Sequence, residues 1–133
     1  MKILGFNRVE LMLSPEDIQA AVEQFNDLLG TSFEPPRLVN DGNVFTTTDW
    51  SNKLELYGPA HASSPLAAPL ERKGRGGIGP LVWEVDNIEE ARDYVLGKGY
   101  RIFYEYEEPG VHQIILDPEQ FFGYFITFMQ RTG

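Results

Sequence analysis

The chain has 133 residues, 42% of them hydrophobic and 13% aromatic, which is enough to bury a core and excludes a disordered chain. Eleven Lys and Arg face twenty Asp and Glu, a formal net charge of -9, which argues against nucleic acid or an anionic membrane as a partner. There is no Cys, which excludes disulfides, thiolate metal sites and Cys nucleophiles, and two His (His61 and His112) are too few for a His-rich metal site. No apolar run approaches the roughly 20 residues of a membrane helix. The start is not a signal peptide, because Asn7, Arg8 and Glu10 interrupt its apolar stretch, so a cytoplasmic protein is expected.

In chain order, a strand is expected over about 5–13. Ser14-Pro15-Glu16-Asp17 then starts a helix, with Ser as N-cap, Pro at the first helical position and acids in the first turn. Ile18, Ala21, Val22, Phe25, Leu28 and Leu29 follow at helical spacing, and Gly30 closes the helix. Extended runs at 33–39, 43–48 and 53–57 come next, with a hairpin turn at Asn40-Asp41-Gly42. The Gly, Pro, Ala and Ser of 58–77 read as a linker or mobile loop.

The pattern then repeats. A strand at 79–85 leads to a helix capped by Asn87, with Glu90 as in a capping box and an apolar stripe of Ile88, Ala91, Tyr94 and Val95 up to Gly97. Extended runs at 101–106, 112–116 and 123–129 follow, the first two joined by a turn at Glu108-Pro109-Gly110. The order β-α-β-β-β therefore occurs twice, in module 1 at about 3–58 and module 2 at about 77–131, with 59–76 between them. The repeat is offset by 72 residues, which aligns Arg8 with Pro80 and Glu55 with Thr127.

A duplicated βαβββ unit of this size resembles the vicinal-oxygen-chelate superfamily of glyoxalase I, bleomycin-resistance proteins and extradiol dioxygenases. The stretch Gly76-Gly77-Ile78-Gly79-Pro80-Leu81-Val82-Trp83-Glu84-Val85-Asp86-Asn87-Ile88 is similar to a segment of methylmalonyl-CoA epimerases in which two His stand at the places of Gly79 and Pro80. Leu116-Asp117-Pro118, followed by Gly123-Tyr124-Phe125-Ile126, resembles the family's turn into its final strand, widened here by Glu119 to Phe122. The resemblance implies an α+β fold, two tandem βαβββ modules whose curved mixed sheets share a cleft. It also implies a homodimer. The family's metal slots fall on Arg8, Glu55, Pro80 and Thr127, of which only Glu55 has the chemistry of a ligand, so the divalent metal is expected to be lost and no cofactor is expected. The family's usual catalytic acid positions fall near Arg37 and on Thr127, neither of which is a carboxylate.

Strand alternation places Arg8, Glu10 and Met12 on one face of the first strand, Glu55 and Tyr57 on one face of the fourth, and Pro80, Val82 and Glu84 on one face of the fifth, so that three carboxylates and one guanidinium are expected to point toward a common interior. The leading expectation is a metal-independent isomerase, epimerase or lyase acting on a small carbonyl-containing or aromatic metabolite. Arg8 would hold developing oxyanion charge while Glu55 or Glu10 moves a proton. Met12, Tyr57, Glu84, His112, Phe125 and Thr127 are the candidate substrate contacts. Against this stands an Arg8–Glu55 ion pair of purely structural role, with Glu84 held by neighbouring backbone donors and His112 an ordinary strand residue.

A second reading is a binding protein that sequesters a cationic aromatic ligand, in the manner of bleomycin-resistance members, with its aromatics lining the site. A third is a metal enzyme with an oxygen-rich ligand set of Glu10, Glu55, Glu84 and His112. The basic, Gly-rich segment Arg72-Lys73-Gly74-Arg75-Gly76-Gly77 could meet a phosphate or a CoA tail, but it lacks phosphate-loop spacing and reads as a solvated linker.

Overall fold

The computed structural model describes residues 1–73 and 76–132. The element order is β1 (Ile3–Leu13), α1 (Pro15–Leu29), β2 (Arg37–Val39), β3 (Val44–Asp49), β4 (Leu54–Pro59), α2 (Ala67–Lys73), β5 (Gly76–Val85), α3 (Ile88–Gly97), β6 (Ile102–Glu108), β7 (Val111–Leu116) and β8 (Ile126–Arg131). The duplicated βαβββ order is present, and the sheets mix parallel with antiparallel pairs, an α+β fold. The chain forms two compact units, one of residues 9–79 and one of residues 1–8 with 80–133.

In the unit of residues 9–79 the strand order is β2-β3-β4-β1. β2, β3 and β4 are antiparallel neighbours, and β4 runs parallel to β1 with Val9 opposite Leu54 and Met12 opposite Tyr57. The β2–β3 turn carries Asn40, Asp41 and Gly42 all at positive φ, the conformation these residue types tolerate best. β2 begins only at Arg37, because Pro35 and Pro36 have no N–H for a ladder. In α1, Ser14 holds the N-cap position without a side-chain cap, and its carbonyl accepts from Asp17 N–H at 2.9 Å instead. Gly30 ends the helix in the left-handed conformation as expected. Ile18 is buried, but Leu28 and Leu29 at the end of the apolar stripe are 69% and 61% exposed.

The segment expected as linker carries helix α2. Ser64 prepares it, with its buried hydroxyl accepting from Leu66 N–H at 3.2 Å and its carbonyl from Ala67 N–H at 3.1 Å. His61 is exposed, and Gly74 and Arg75 of the basic segment lie outside the described residues.

In the other unit the strand order is β5-β8-β7-β6, with β5 parallel to β8 and the remaining pairs antiparallel. Asn87 caps α3 through its side chain, which accepts from Glu90 N–H at 3.0 Å, as the sequence predicts. The helix buries Ile88, Ala91 and Val95 against Val85, Ile114 and Leu116, the core of this unit. The widened turn before β8 is a short 3-10 helix, Pro118–Gln120, whose Glu119 N–H donates to the Asp117 carboxylate at 3.0 Å. The first residues of β1 belong here too. Lys2 N–H donates to the Asp86 carboxylate at 2.8 Å, and the Phe6 ring meets Trp83 edge-on at 5.3 Å.

The 72-residue repeat holds at the level of register. Val9 to Met12 lie opposite Leu54 to Tyr57, and Leu81 to Glu84 lie opposite Ile126 to Met129. Even the entry bonds correspond, Val9 N–H to the Lys53 carbonyl and Leu81 N–H to the Phe125 carbonyl, each at 3.0 Å.

Candidate functional site

In the unit of residues 9–79 one sheet face collects the chemistry. Directly opposed residues of neighbouring strands point to the same side. Glu10 on β1 lies opposite Glu55 on β4, and Glu55 lies opposite Thr48 on β3. Met12, Tyr57 and Thr46 form the next row, and Arg37 on β2 is opposite Thr46. Glu10 and Glu55 are 6% and 8% exposed, a degree of burial that carboxylates reach only when the fold holds them there. Thr48 Oγ1 donates to Glu55 Oε1 at 3.3 Å. Met12 and Tyr57 are buried beside the pair. Burial, and then the charges of Glu10 and Glu55, push the Tyr57 phenol above its ordinary pKa, so it stays a neutral hydroxyl. Arg37 is exposed at the edge, its Nε 3.5 Å from the Glu34 carboxylate.

The remaining candidates lie in the other unit. Arg8 is 6% exposed. Its Nη1 donates to Asn7 Oδ1 at 2.7 Å and its Nη2 to Gln113 Oε1 at 3.5 Å, both neutral acceptors. Glu84 Oε1 accepts from Arg131 Nε at 3.2 Å and from Asn7 Nδ2 at 3.5 Å, side-chain donors rather than the backbone donors expected. Thr127 is fully buried opposite Val82 and donates to the Phe125 carbonyl at 3.1 Å. The Phe125 ring packs on Phe103 with centroids 5.7 Å apart.

His112 stands apart from Glu84 and Thr127. It alternates with Gln113 on β7 and shares the side of Ile114 and Leu116, which face α3. There its Nε2 lies 2.7 Å from Glu105 Oε2, and Arg92 of α3 bonds to Glu105 and Glu89. Burial opposes ionisation of Glu105, but the hydrogen bonds from His112 and Arg92 outweigh it and hold the carboxyl below its ordinary pKa. The sequence shows His112 as a strand residue, and the partner on the neighbouring strand is what fixes its surroundings.

Four residues around these candidates carried no sequence signal of their own. Thr48 is one of three consecutive Thr, and only the β3–β4 register shows that it serves Glu55. Gln113 and Asn7 hold Arg8 but read as ordinary strand residues. Gly79 lies against Tyr57, where a Cβ would overlap the phenol oxygen and ring.

The four slots of the family's metal hold one carboxylate, one guanidinium, a proline ring without a donor atom and a hydroxyl already donating to a carbonyl. Among the described residues no three His, Asp or Glu side chains are grouped to hold an ion.

No family model matches the chain. It is 32% identical over 121 residues to the ethylmalonyl-CoA/methylmalonyl-CoA epimerase of Cereibacter sphaeroides, covering 86% of this chain and 90% of that protein. Its structure is similar to methylmalonyl-CoA epimerase from Mycobacterium tuberculosis, with a TM-score of 0.84 at 19% identity over 98% of this chain and 90% of that one. A variant of Streptomyces coelicolor methylmalonyl-CoA epimerase, in complex with 2-nitronate-propionyl-CoA, is similar with a TM-score of 0.82 at 17% identity over 99% of this chain and all of that one. No helix among the described residues is long and apolar enough to cross a membrane.

Proposed function

Because the chain belongs to the vicinal-oxygen-chelate superfamily, beside its methylmalonyl-CoA epimerase-like members, we propose that it is a metal-independent epimerase-type enzyme that moves a proton on the carbon next to a thioester carbonyl. The observation that carries this reading is the buried carboxylate pair, Glu10 opposite Glu55. In this reading one carboxylate has the role of base and the other that of acid. The charged member takes the proton from the α-carbon, and the C–H electrons move into the carbonyl to form an enolate. The protonated member returns a proton to that carbon, which resets the pair with the roles exchanged.

Arg8, two residues before Glu10 in the sequence of β1, has the chemistry to stabilise an oxyanion. Its guanidinium is always protonated, and Asn7 Oδ1 and Gln113 Oε1 accept from its Nη atoms. A substituted malonyl thioester is the substrate class supported by the name of the Cereibacter relative.

The test is α-proton exchange. Protein treated with chelator is incubated with methylmalonyl-CoA or ethylmalonyl-CoA in D2O, and deuterium at the α-carbon is followed by mass spectrometry. Exchange catalysed by wild type, and lowered by about 10²- to 10⁴-fold in Glu55→Gln, is the expected result. Exchange that appears only when a divalent metal is added back would overturn metal independence. Tight binding of the thioester without exchange would make the protein a binder.

A further inference from the structure

We propose, on the acid–base reading above, that Tyr57 is a positioning residue of the Glu10–Glu55 pair and that Gly79 is the residue that admits its phenol. Three placements bring the groups together. Tyr57 follows Glu55 by two residues on β4, so both side chains leave the same face. It lies opposite Met12, two residues after Glu10 on β1. Its phenol rests on Gly79, where any side chain would overlap it.

A tyrosine buried to 6% exposure needs a polar role for its hydroxyl, and this one shares its face with two carboxylates. Within this unit the strand pairings put Glu10 from β1, Glu55 from β4 and Arg37 from β2 on that face, while β3 adds the hydroxyls of Thr46 and Thr48. A neutral phenol beside this pair acts as a donor. Its hydrogen bond goes to the carboxylate that carries the charge and aims it at the substrate carbon. Thr48 serves Glu55 from the β3 side, and Tyr57 completes the cradle from β4. Gly79 therefore sets what can stand at position 57, since a methyl group there would drive the phenol out of register with the carboxylates.

The experiment uses four proteins: wild type, Tyr57→Phe, Gly79→Ala and the double variant Gly79→Ala/Tyr57→Leu. Ultraviolet resonance Raman of the ligand-free protein, as wild type minus Tyr57→Phe, reads whether the Tyr57 hydroxyl is a donor through its Fermi-doublet ratio. A donor signature that disappears in Gly79→Ala is expected. Exchange assays should then show kcat lowered by about 10- to 100-fold in Tyr57→Phe, the worth of a hydrogen bond to a charged group, with KM unchanged. Gly79→Ala should lose both Tm and kcat. The double variant, which relieves the overlap, should regain Tm but not kcat.

A non-donor signature, or wild-type kcat in Tyr57→Phe, would overturn the proposal while leaving the epimerase reading standing. Absence of exchange in wild type would overturn the epimerase reading, and the positioning role with it.

Discussion

Glu10 lies opposite Glu55 in the parallel pairing of β1 with β4, and 72 residues later Val82 lies opposite Thr127 in the same pairing of β5 with β8. The two βαβββ repeats thus share a backbone but divide the chemistry. One repeat keeps an acidic pair at this row, and the other fills it with an apolar side chain and a hydroxyl turned back to its own backbone. Glu10→Gln and Glu55→Gln should each abolish most α-proton exchange, whereas Val82→Ile should change it little. Single-turnover exchange in D2O, with circular dichroism to confirm folding, checks the asymmetry.

Asp49 anchors the β3–β4 turn. Its carboxylate accepts from Ser32 N–H at 2.7 Å, Ser51 Oγ at 2.9 Å, Asn52 N–H at 3.0 Å and Asn52 Nδ2 at 2.7 Å. Burial alone would raise its pKa, but these bonds together hold it far below the ordinary value. A lowered folded value means that the unfolded chain binds the proton first on acidification. The stabilisation is therefore complete above the unfolded carboxylate pKa of about 3.9 and is lost as pH falls toward the folded value. Asp49→Asn should cost about 2 kcal/mol at neutral pH and flatten the acid side of the stability profile, read by urea denaturation from neutral to acid pH.

The Glu105–His112 contact ties β6 to β7 next to Arg92 of α3. Glu105 is about one-third exposed, so water and salt weaken the pair. A double-mutant cycle of Glu105→Gln with His112→Gln should give a coupling of about 1 kcal/mol in low salt, smaller at high ionic strength. Because Glu105 titrates below its ordinary value, its share of stability is present above that value and fades as pH drops through the folded one.

Leu116 is 2% exposed in the core between α3 and β7. Leu116→Ala should lower unfolding free energy by about 2–5 kcal/mol through lost burial and the cavity left behind. Chemical denaturation with an unchanged slope against denaturant checks that the loss is one of stability alone.

The duplicated architecture was legible in the sequence because period-2 alternation and the caps at Gly30 and Asn87 mark each element locally. The 72-residue offset placed Thr127 in the slot of Glu55, and the pairing of Val82 with Thr127 bears that register out. The same alternation put Glu10, Glu55 and Tyr57 on strand faces, and burial shows them turned inward. Helix α2 was hidden because its Ala-Ala-Pro start carries loop composition and no apolar stripe. The Tyr57–Gly79 contact and the Glu105–His112 pair were hidden for another reason. Each depends on which strand lies beside which, and a single residue's type says nothing of its neighbour across a ladder.

Lys2, just before β1, contacts Asp86, and Asn7 of β1 contacts Glu84, across separations of 84 and 77 residues. During synthesis this segment emerges before its partners and is completed only after them. It must wait, unsatisfied, until residues 80–86 have been made, and closing so long a loop sets a slow step that local helices cannot hasten. A ribosome stalled before residue 80 would carry a nascent chain in which residues 1–8 still lack the partners of their own unit, and that is the moment at which this protein would depend most on a chaperone.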